Sequence, residues 1–273
     1  MLGAIIGDIV GSRFEFNNIK TKDFAFLHEK CDFTDDSVMS FAVAKALLTC
    51  DDLAALPALT VQYMRDFGKR YPYRGYGGHF AGWLRAADPK PYDSYGNGAA
   101  MRISAVGFLC DSEAELKARS RAVTAVTHGH PEGLKGAEAT AMAIFWARSG
   151  LRKQEIFDRL AAAYYPELKT KELTYDYMVQ NYSWNYGMGS VTCQSSVPQA
   201  LACFYVSTGF EDAIRTAVSI GGDSDTIAAM AGGIAEAYYG IPEEIEKQAL
   251  AYLPAEFTEL LGAVRAKIKN IRK

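Results

Sequence analysis

Two short acidic clusters hold most of the residues in this chain whose types suit chemistry. One is Thr34-Asp35-Asp36 and the other is Gly221-Gly222-Asp223-Ser224-Asp225-Thr226. Each joins hard oxygen donors to the start of a strongly helical stretch. Together they offer four carboxylates and two threonine hydroxyls, a donor set suited to a pair of small divalent cations, which take oxygen ligands in near-octahedral geometry. Magnesium (Mg2+) and manganese (Mn2+) both suit such a site. Asp223 and Asp225 would diverge on a regular helix face, whereas at a loop-to-helix junction they can converge. Helix capping is the competing reading, because Thr and Asp are favoured at N-caps and in first turns. Capping suffices for either cluster alone; the presence of two shifts the reading toward metal.

Three further stretches carry candidate groups. Gly96-Asn97-Gly98-Ala99-Ala100-Met101-Arg102 is a glycine turn entering a helix. Free amides and the helix dipole would make it an anion cradle, although it lacks the P-loop lysine-serine pair and the dinucleotide fingerprint. An ordinary capped loop is the alternative. Glu15 lies in an irregular segment, either as a surface carboxylate or as an acid or base on a flap over the site. Thr127-His128-Gly129-His130-Pro131-Glu132 holds two of the four histidines. His128 and His130 can ligate metal, transfer protons, bond a sugar, or simply start a helix at Pro131.

The elements that must position these groups are helical. Apolar residues recur at helical spacing over Ser37–Leu48, Leu59–Lys69, Glu113–Val126, Glu132–Arg148, Lys153–Tyr164, Val197–Tyr205, Phe210–Val218, Thr226–Tyr238, Pro242–Ala251 and Glu256–Ile268. Ala99–Leu109 reads as one helix. Met1–Gly11 is apolar and glycine-spaced, a first helix packed closely on its neighbours. Arg13–Asp32 reads as irregular. Tyr71–Tyr95 and Tyr175–Gly189 read as aromatic, glycine-rich loops able to stack a base or simply pack. The expectation is an all-α, single-domain orthogonal helical bundle spanning 1–273, with a binuclear metal site in a cleft.

Composition narrows the function classes. The chain has 273 residues, 49% hydrophobic and 22% charged, as an ordinary globular protein does. A net charge of -3 leaves no footprint for nucleic-acid binding. The five cysteines form no CxxC pair or zinc spacing and point to a reducing, cytoplasmic setting. Met1–Val10 is too short and carries Asp8, so it reads as neither signal peptide nor membrane anchor. A monomer is the expected state, though no motif sets it.

These motifs resemble those of the ADP-ribosylglycohydrolases, the family that includes the dinitrogenase reductase-activating glycohydrolases. The matching pieces are Gly7-Asp8-x-x-Gly11-Ser12-x-x-Glu15, Thr34-Asp35-Asp36-Ser37, Gly96 to Arg102, Thr127-His128, and Gly222-Asp223-Ser224-Asp225-Thr226-Ile227-Ala228. They stand in family order across residues 7 to 228. The resemblance implies a binuclear magnesium centre held by Thr34, Asp35, Asp36, Asp223, Asp225 and Thr226. It implies Glu15 on a flap over the metals and the Gly96–Met101 loop around a diphosphate, with His128 and the Gly189–Ser196 loop beside the ribose and phosphates. Glu15 and Asp35 become the candidate catalytic carboxylates. The implied reaction cleaves ADP-ribose from an acceptor: an arginine guanidinium first, or a serine hydroxyl or nucleobase, on a protein, nucleic acid or small molecule. Some relatives place a catalytic acid three positions before the loop asparagine. Here that position is Ser94, with Asp93 one further back, so that role is not carried over. A non-catalytic ADP-ribose binder or crystallin-like structural protein, and a hydrolase of free nucleotide sugars, are the other readings of the same resemblance.

Overall fold

The computed structural model describes residues 1–170, 173–182 and 191–271. Among them the chain is all-α: two isolated bridges, Asp93 with His128 and Gly96 with Thr192, are the only extended pairings. In order the helices are α1 (Leu2–Gly11), α2 (Asp35–Thr49), α3 (Leu56–Arg70), α4 (Gly78–Arg85), α5 (Gly98–Met101), α6 (Ser104–Leu109), α7 (Glu113–Thr124), α8 (Pro131–Arg148), α9 (Lys153–Ala163), α10 (Tyr175–Asn181), α11 (Cys193–Val206), α12 (Phe210–Ser219), α13 (Ser224–Tyr239), α14 (Glu243–Leu250) and α15 (Ala255–Ile271).

Helix α13 is the axis of the bundle. Every residue from Ser224 to Ala235 is buried, as expected of a helix apolar all round. Packed on it are α1, α12, α11, α8, α5, α2 and α6. The closest approach is made by α1, itself buried throughout. Its glycines recur every four residues, which places them on one face. A Cβ at Gly3 would fall 2.3 Å from the Gly232 carbonyl oxygen, one at Gly7 2.1 Å from that of Ala228, and one at Gly11 2.4 Å from the Asp225 Cα. The two backbones therefore touch, and the spacing fixes where Asp8 on α1 stands relative to Asp225 on α13.

Three boundaries differ from the sequence expectation. The stretch expected as one helix, Ala99–Leu109, is divided into α5 and α6 at Arg102 and Ile103. The Tyr71–Tyr95 loop contains α4, whose Trp83 is buried with its indole N–H on the Lys90 carbonyl at 2.9 Å. The second aromatic loop begins as α10, with Tyr182 buried behind it; its remaining members Trp184, Tyr186, Gly187 and Gly189 lie outside the described residues. The five cysteines are buried and unpaired, behaving as small apolar residues. No helix among the described residues is long and apolar enough to cross a membrane.

Candidate active site

The N-termini of α2 and α13 face each other at the floor of a cleft of about 680 Å³. Asp35, Asp36, Asp223, Asp225, Thr226 and Glu15 all line it. The two clusters meet directly: the Thr226 hydroxyl donates to Asp36 Oδ1 at 3.3 Å, across 190 positions of sequence. One carboxylate oxygen each from Glu15, Asp223 and Asp225 lie within 4.8 Å of one another.

Local geometry explains the convergence. Gly221 and Gly222 have φ of 75° and 82°, a left-handed pair that residues with a Cβ adopt only at a cost. This turn swings the chain so that Asp223, at the N-cap, and Asp225, in the first turn, reach the same space. Asn18 clamps the turn. Its amide nitrogen donates to the carbonyls of Phe14 at 2.7 Å, Glu15 at 3.1 Å and Gly222 at 3.0 Å, and its amide oxygen accepts from Gly222 N–H at 2.9 Å. The Glu15 segment and the second acidic cluster are thus tied together through Asn18.

The first cluster is shaped by Asp8, which is fully buried. Its carboxylate accepts from Thr34 N–H at 2.9 Å, Thr34 Oγ1 at 2.6 Å, Ser37 N–H at 3.1 Å and Ser37 Oγ. Thr34 in turn caps α2, accepting from Asp36 N–H at 3.3 Å. Its hydroxyl has one proton and two lone pairs. The proton goes to Asp8 and one lone pair to Asp36, leaving the other available. For this cluster capping and ligation are therefore compatible. In the second, Asp225 Oδ1 accepts from Thr226 N–H at 2.9 Å in the first turn, whereas Asp223, at the N-cap, makes no side-chain capping bond. Its carboxylate accepts instead from the Asn97 amide at 2.6 Å, while Asn97 also donates to Ser196 Oγ at 3.0 Å.

The electrostatics are those of a site that needs a cation. Burial, then the charges of its neighbours, holds the Asp35, Asp36 and Asp225 carboxyls well above the usual range, and burial raises Asp223. Asp8 is pushed up to about 6 by burial, against the pull of its own hydrogen bonds. No Lys, Arg or His among the described residues forms an ion pair with any of the four cluster aspartates. Asp36 Oδ2 is buried without a hydrogen-bond partner. Buried charges without partners are costly, and two helix N-termini offset only part of that cost. Hard divalent cations fit this donor set on all three counts: oxygen ligands, excess negative charge and an orphaned buried oxygen.

Above the floor, Gly96, Asn97, Gly98, Met101 and His128 line the cleft wall. Ala99 and Ala100 do not; both are buried, where α5 packs on α8 and α13, and their small size serves close packing. The cradle expected here is narrower than its motif. Gly96 N–H bonds Ser94 Oγ, Asn97 N–H bonds Val191 O, and the amides of Ala99, Ala100 and Met101 bond within the turn. Of the two histidines, His130 is a helix cap whose Nδ1 accepts from Glu132 N–H at 3.1 Å. His128 faces the cleft and is fixed from behind by Arg102, whose Nη2 lies 3.2 Å from its Nδ1 and 2.6 Å from Thr127 Oγ1. An aromatic wall closes the far side, with His79 stacked on Tyr92 at 4.1 Å, beside Phe80 and Tyr95. Of the Gly189–Ser196 loop, Val191 and Thr192 reach the cleft. Asp93 lines it too.

Reading by residue type missed Asp8, Asn18 and Arg102 as positioning groups. The signal for Asp8 was present: a lone charge inside an apolar helix cannot be buried without partners.

Comparison with known proteins places the chain in a family. The ADP-ribosylglycohydrolase family model matches residues 1–271. The human ADP-ribosylhydrolase ARH3 is 27% identical, with 96% of this chain and 90% of that protein covered. The ADP-ribosylarginine hydrolase Tri1 of Pseudomonas putida (strain GB-1) is 26% identical, covering 91% and 73%. A solved structure titled ADP-ribosylglycohydrolase-related protein complex superposes with a TM-score of 0.68 at 23% identity, covering 98% of this chain and 95% of that one, a likeness of fold. With a family match over nearly its whole length, the chain belongs to the ADP-ribosylglycohydrolases and is a glycohydrolase enzyme.

Proposed function

We propose that this enzyme hydrolyses the bond between the anomeric carbon of ADP-ribose and an acceptor, reversing ADP-ribosylation with the help of two divalent cations, Mg2+ first and Mn2+ as a substitute. The observation that carries this reading is the meeting of two distant acidic clusters at one cleft floor, with a buried oxygen of Asp36 left unpartnered. Thr34, Asp35, Asp36, Asp223, Asp225 and Thr226 would hold the metals. When bound, such cations polarise ribose hydroxyls and stabilise negative charge as it develops.

The chain's own residues do the rest. Asp8 and Asn97 orient the metal-binding side chains. The cleft wall of Gly96, Asn97, Gly98 and Met101, with the Gly98 amide and His128, receives the diphosphate. The aromatic wall of His79, Tyr92 and Tyr95 offers a face to the adenine. Gly75 leaves room beside Asp35, since a Cβ there would stand 3.3 Å from Asp35 Oδ1. Glu15 and Asp35 flank the position of the anomeric carbon, and one of these carboxylates takes the proton from the attacking water. The carbon–acceptor bond breaks, the water oxygen joins the anomeric carbon, and the departing group leaves with a proton. The whole chain acts as one domain in this reading, because α1 and α13, from opposite ends of the sequence, build the same floor.

Arginine-linked ADP-ribose is the first acceptor to test, the linkage named for the Pseudomonas relative. The experiment is a panel of arginine-, serine- and nucleobase-linked ADP-ribose, each with Mg2+, Mn2+ or EDTA. Metal-dependent release of ADP-ribose from at least one is expected. Release that proceeds equally in EDTA would sink the metal assignment, and Glu15→Gln and Asp35→Asn variants with wild-type single-turnover rates would sink the carboxylate roles.

A further inference from the structure

His128 is a titratable group on the cleft wall whose protonation state the surrounding hydrogen bonds dictate. Arg102, in the break between α5 and α6, is among the largest fully buried side chains. A guanidinium only donates hydrogen bonds. Its Nη2 donates to Thr127 Oγ1 at 2.6 Å and to His128 Nδ1 at 3.2 Å, and the Thr127 hydroxyl lies 2.8 Å from the same Nδ1. The three contacts are consistent in one way. Thr127 accepts from Arg102 and donates its own proton to Nδ1, and Nδ1 is bare, its one lone pair shared between the Arg102 and Thr127 donors. A proton on Nδ1 would set N–H against N–H across 3.2 Å. The imidazole hydrogen must then sit on Nε2.

That nitrogen points the other way, to the glycine loop. A Cβ at Gly98 would fall 3.2 Å from Nε2, and one at Gly96 3.6 Å away. The absence of those carbons leaves space for an acceptor atom against the N–H. We propose that Arg102 and Thr127 lock His128 as the neutral Nε2–H tautomer, making it a permanent hydrogen-bond donor to an anionic oxygen of the substrate diphosphate and excluding it from proton transfer. This rests on the reading that the cleft takes ADP-ribose. Arg102 is a positioning residue, acting on substrate only through His128.

The surroundings reinforce the lock. The titratable groups beside the ring are Arg102, Tyr92, whose ring centroid is 6.3 Å away, and Asp93, whose backbone pairs with that of His128. Burial, then the Arg102 charge, holds the imidazole well below its ordinary range. The division of the expected helix at Arg102 now has a physical reason: the chain turns there while the Arg102 side chain stays buried behind the cleft wall.

The test is 15N NMR of histidine-labelled protein loaded with Mg2+, with His128 assigned by its loss in His128→Gln. A pyridine-like Nδ1 and a pyrrole-like Nε2, unchanged between about pH 5 and 8, are expected. Protonated Nδ1, or a titration midpoint inside that range, would overturn the lock. Adding ADP-ribose should shift Nε2–H and leave Nδ1 in place; no response of Nε2 in a protein that still hydrolyses its substrate would overturn the donor role and leave the glycohydrolase reading standing. Conversely, a locked tautomer in a protein that hydrolyses no acceptor supports the lock and removes the functional reading. Kinetics give a second measure. Loss of a donor to a charged acceptor costs about tenfold or more, so His128→Ala should raise KM by that factor, while His128→Gln, which keeps a neutral N–H donor, should recover a measurable part of that loss. The pH profile of kcat/KM should keep its shape in both, and loss of a limb in His128→Gln would overturn the proposal. Arg102→Met, where it folds, should let Nδ1 take a proton; where it does not fold, the wild-type spectra and the two His128 variants still decide.

Discussion

Replacing Asp8 by Asn separates holding the fold from shaping the metal site. Asp8 Oδ2 accepts from Thr34 N–H, Ser37 N–H and Ser37 Oγ, and Oδ1 accepts from Thr34 Oγ1. An asparagine amide can keep its oxygen at the Oδ2 position and retain three of these bonds. Its NH2 then faces the Thr34 hydroxyl, donor against donor. Thr34 must rotate and accept, which occupies its remaining lone pair because the other already receives Asp36 N–H. Nothing is left to offer a cation. Loss of an outer-shell partner of this kind typically lowers metal affinity about 10- to 100-fold, or about 1.4–2.7 kcal/mol. The metal-free protein should barely notice. A hydrogen bond to a charged acceptor contributes about 1.5–3 kcal/mol, but the substitution also removes a buried charge that repels Asp35 and Asp36, and the two effects oppose. Titration calorimetry with Mn2+ and Mg2+, paired with thermal melts in EDTA, measures both halves. Wild-type affinity in Asp8→Asn would falsify the assignment of Thr34 as a ligand held by Asp8. A large loss of stability in EDTA would make Asp8 a fold staple alone.

Other perturbations test other links. Gly7→Ala should gain up to about 1 kcal/mol of helix propensity and lose more than that, since its Cβ would fall 2.1 Å from the Ala228 carbonyl oxygen and overpacking costs about 1–3 kcal/mol; an unchanged or raised Tm would refute the close contact of α1 and α13. Gly222→Ala forces a Cβ into a φ of 82° and should cost about 1–2 kcal/mol, with a further fall in metal affinity as Asp223 is displaced; urea melts and calorimetry check each part. In EDTA the pH dependence has a definite sign. The Asp8 carboxyl is raised from 3.8 to about 6, and those of Asp35, Asp36 and Asp225 are also raised. The folded state therefore holds protons that the unfolded chain releases, and the associated stability is complete below about pH 4 and lost as pH rises through about 6 and beyond. Metal-free protein should weaken over that range, and saturating divalent cation should abolish the loss; a flat profile in EDTA would count against the buried cluster.

What the sequence revealed and what it hid follow one physical division. Residue type and local spacing marked both acidic clusters, because four carboxylates at two helix starts are unusual whatever surrounds them. They also marked helices such as α3 and α15, whose apolar stripes are written within a few turns of sequence. Hidden were features set by partners far along the chain. Glycine and aromatic density around Gly78–Arg85 signals turns, and α4 exists because Trp83 finds a buried place and a carbonyl at Lys90. Arg102 is a good helix former by itself, yet the helix stops there while its guanidinium bonds Thr127 and His128, twenty-five and twenty-six positions on. The joining of the two clusters belongs to the hidden kind as well, but one local pattern anticipates it. Glycines at 3, 7 and 11 of an apolar helix cannot be explained by helix formation, which they weaken. They are worth their cost only if another backbone lies against them, and the backbone found there is α13, with Asp225 in its first turn. The same helix carries Asp8, which shapes the other cluster. A single glycine-faced helix thus sets the distance between the two halves of the site, so its packing and the enzyme's affinity for metal should rise and fall together.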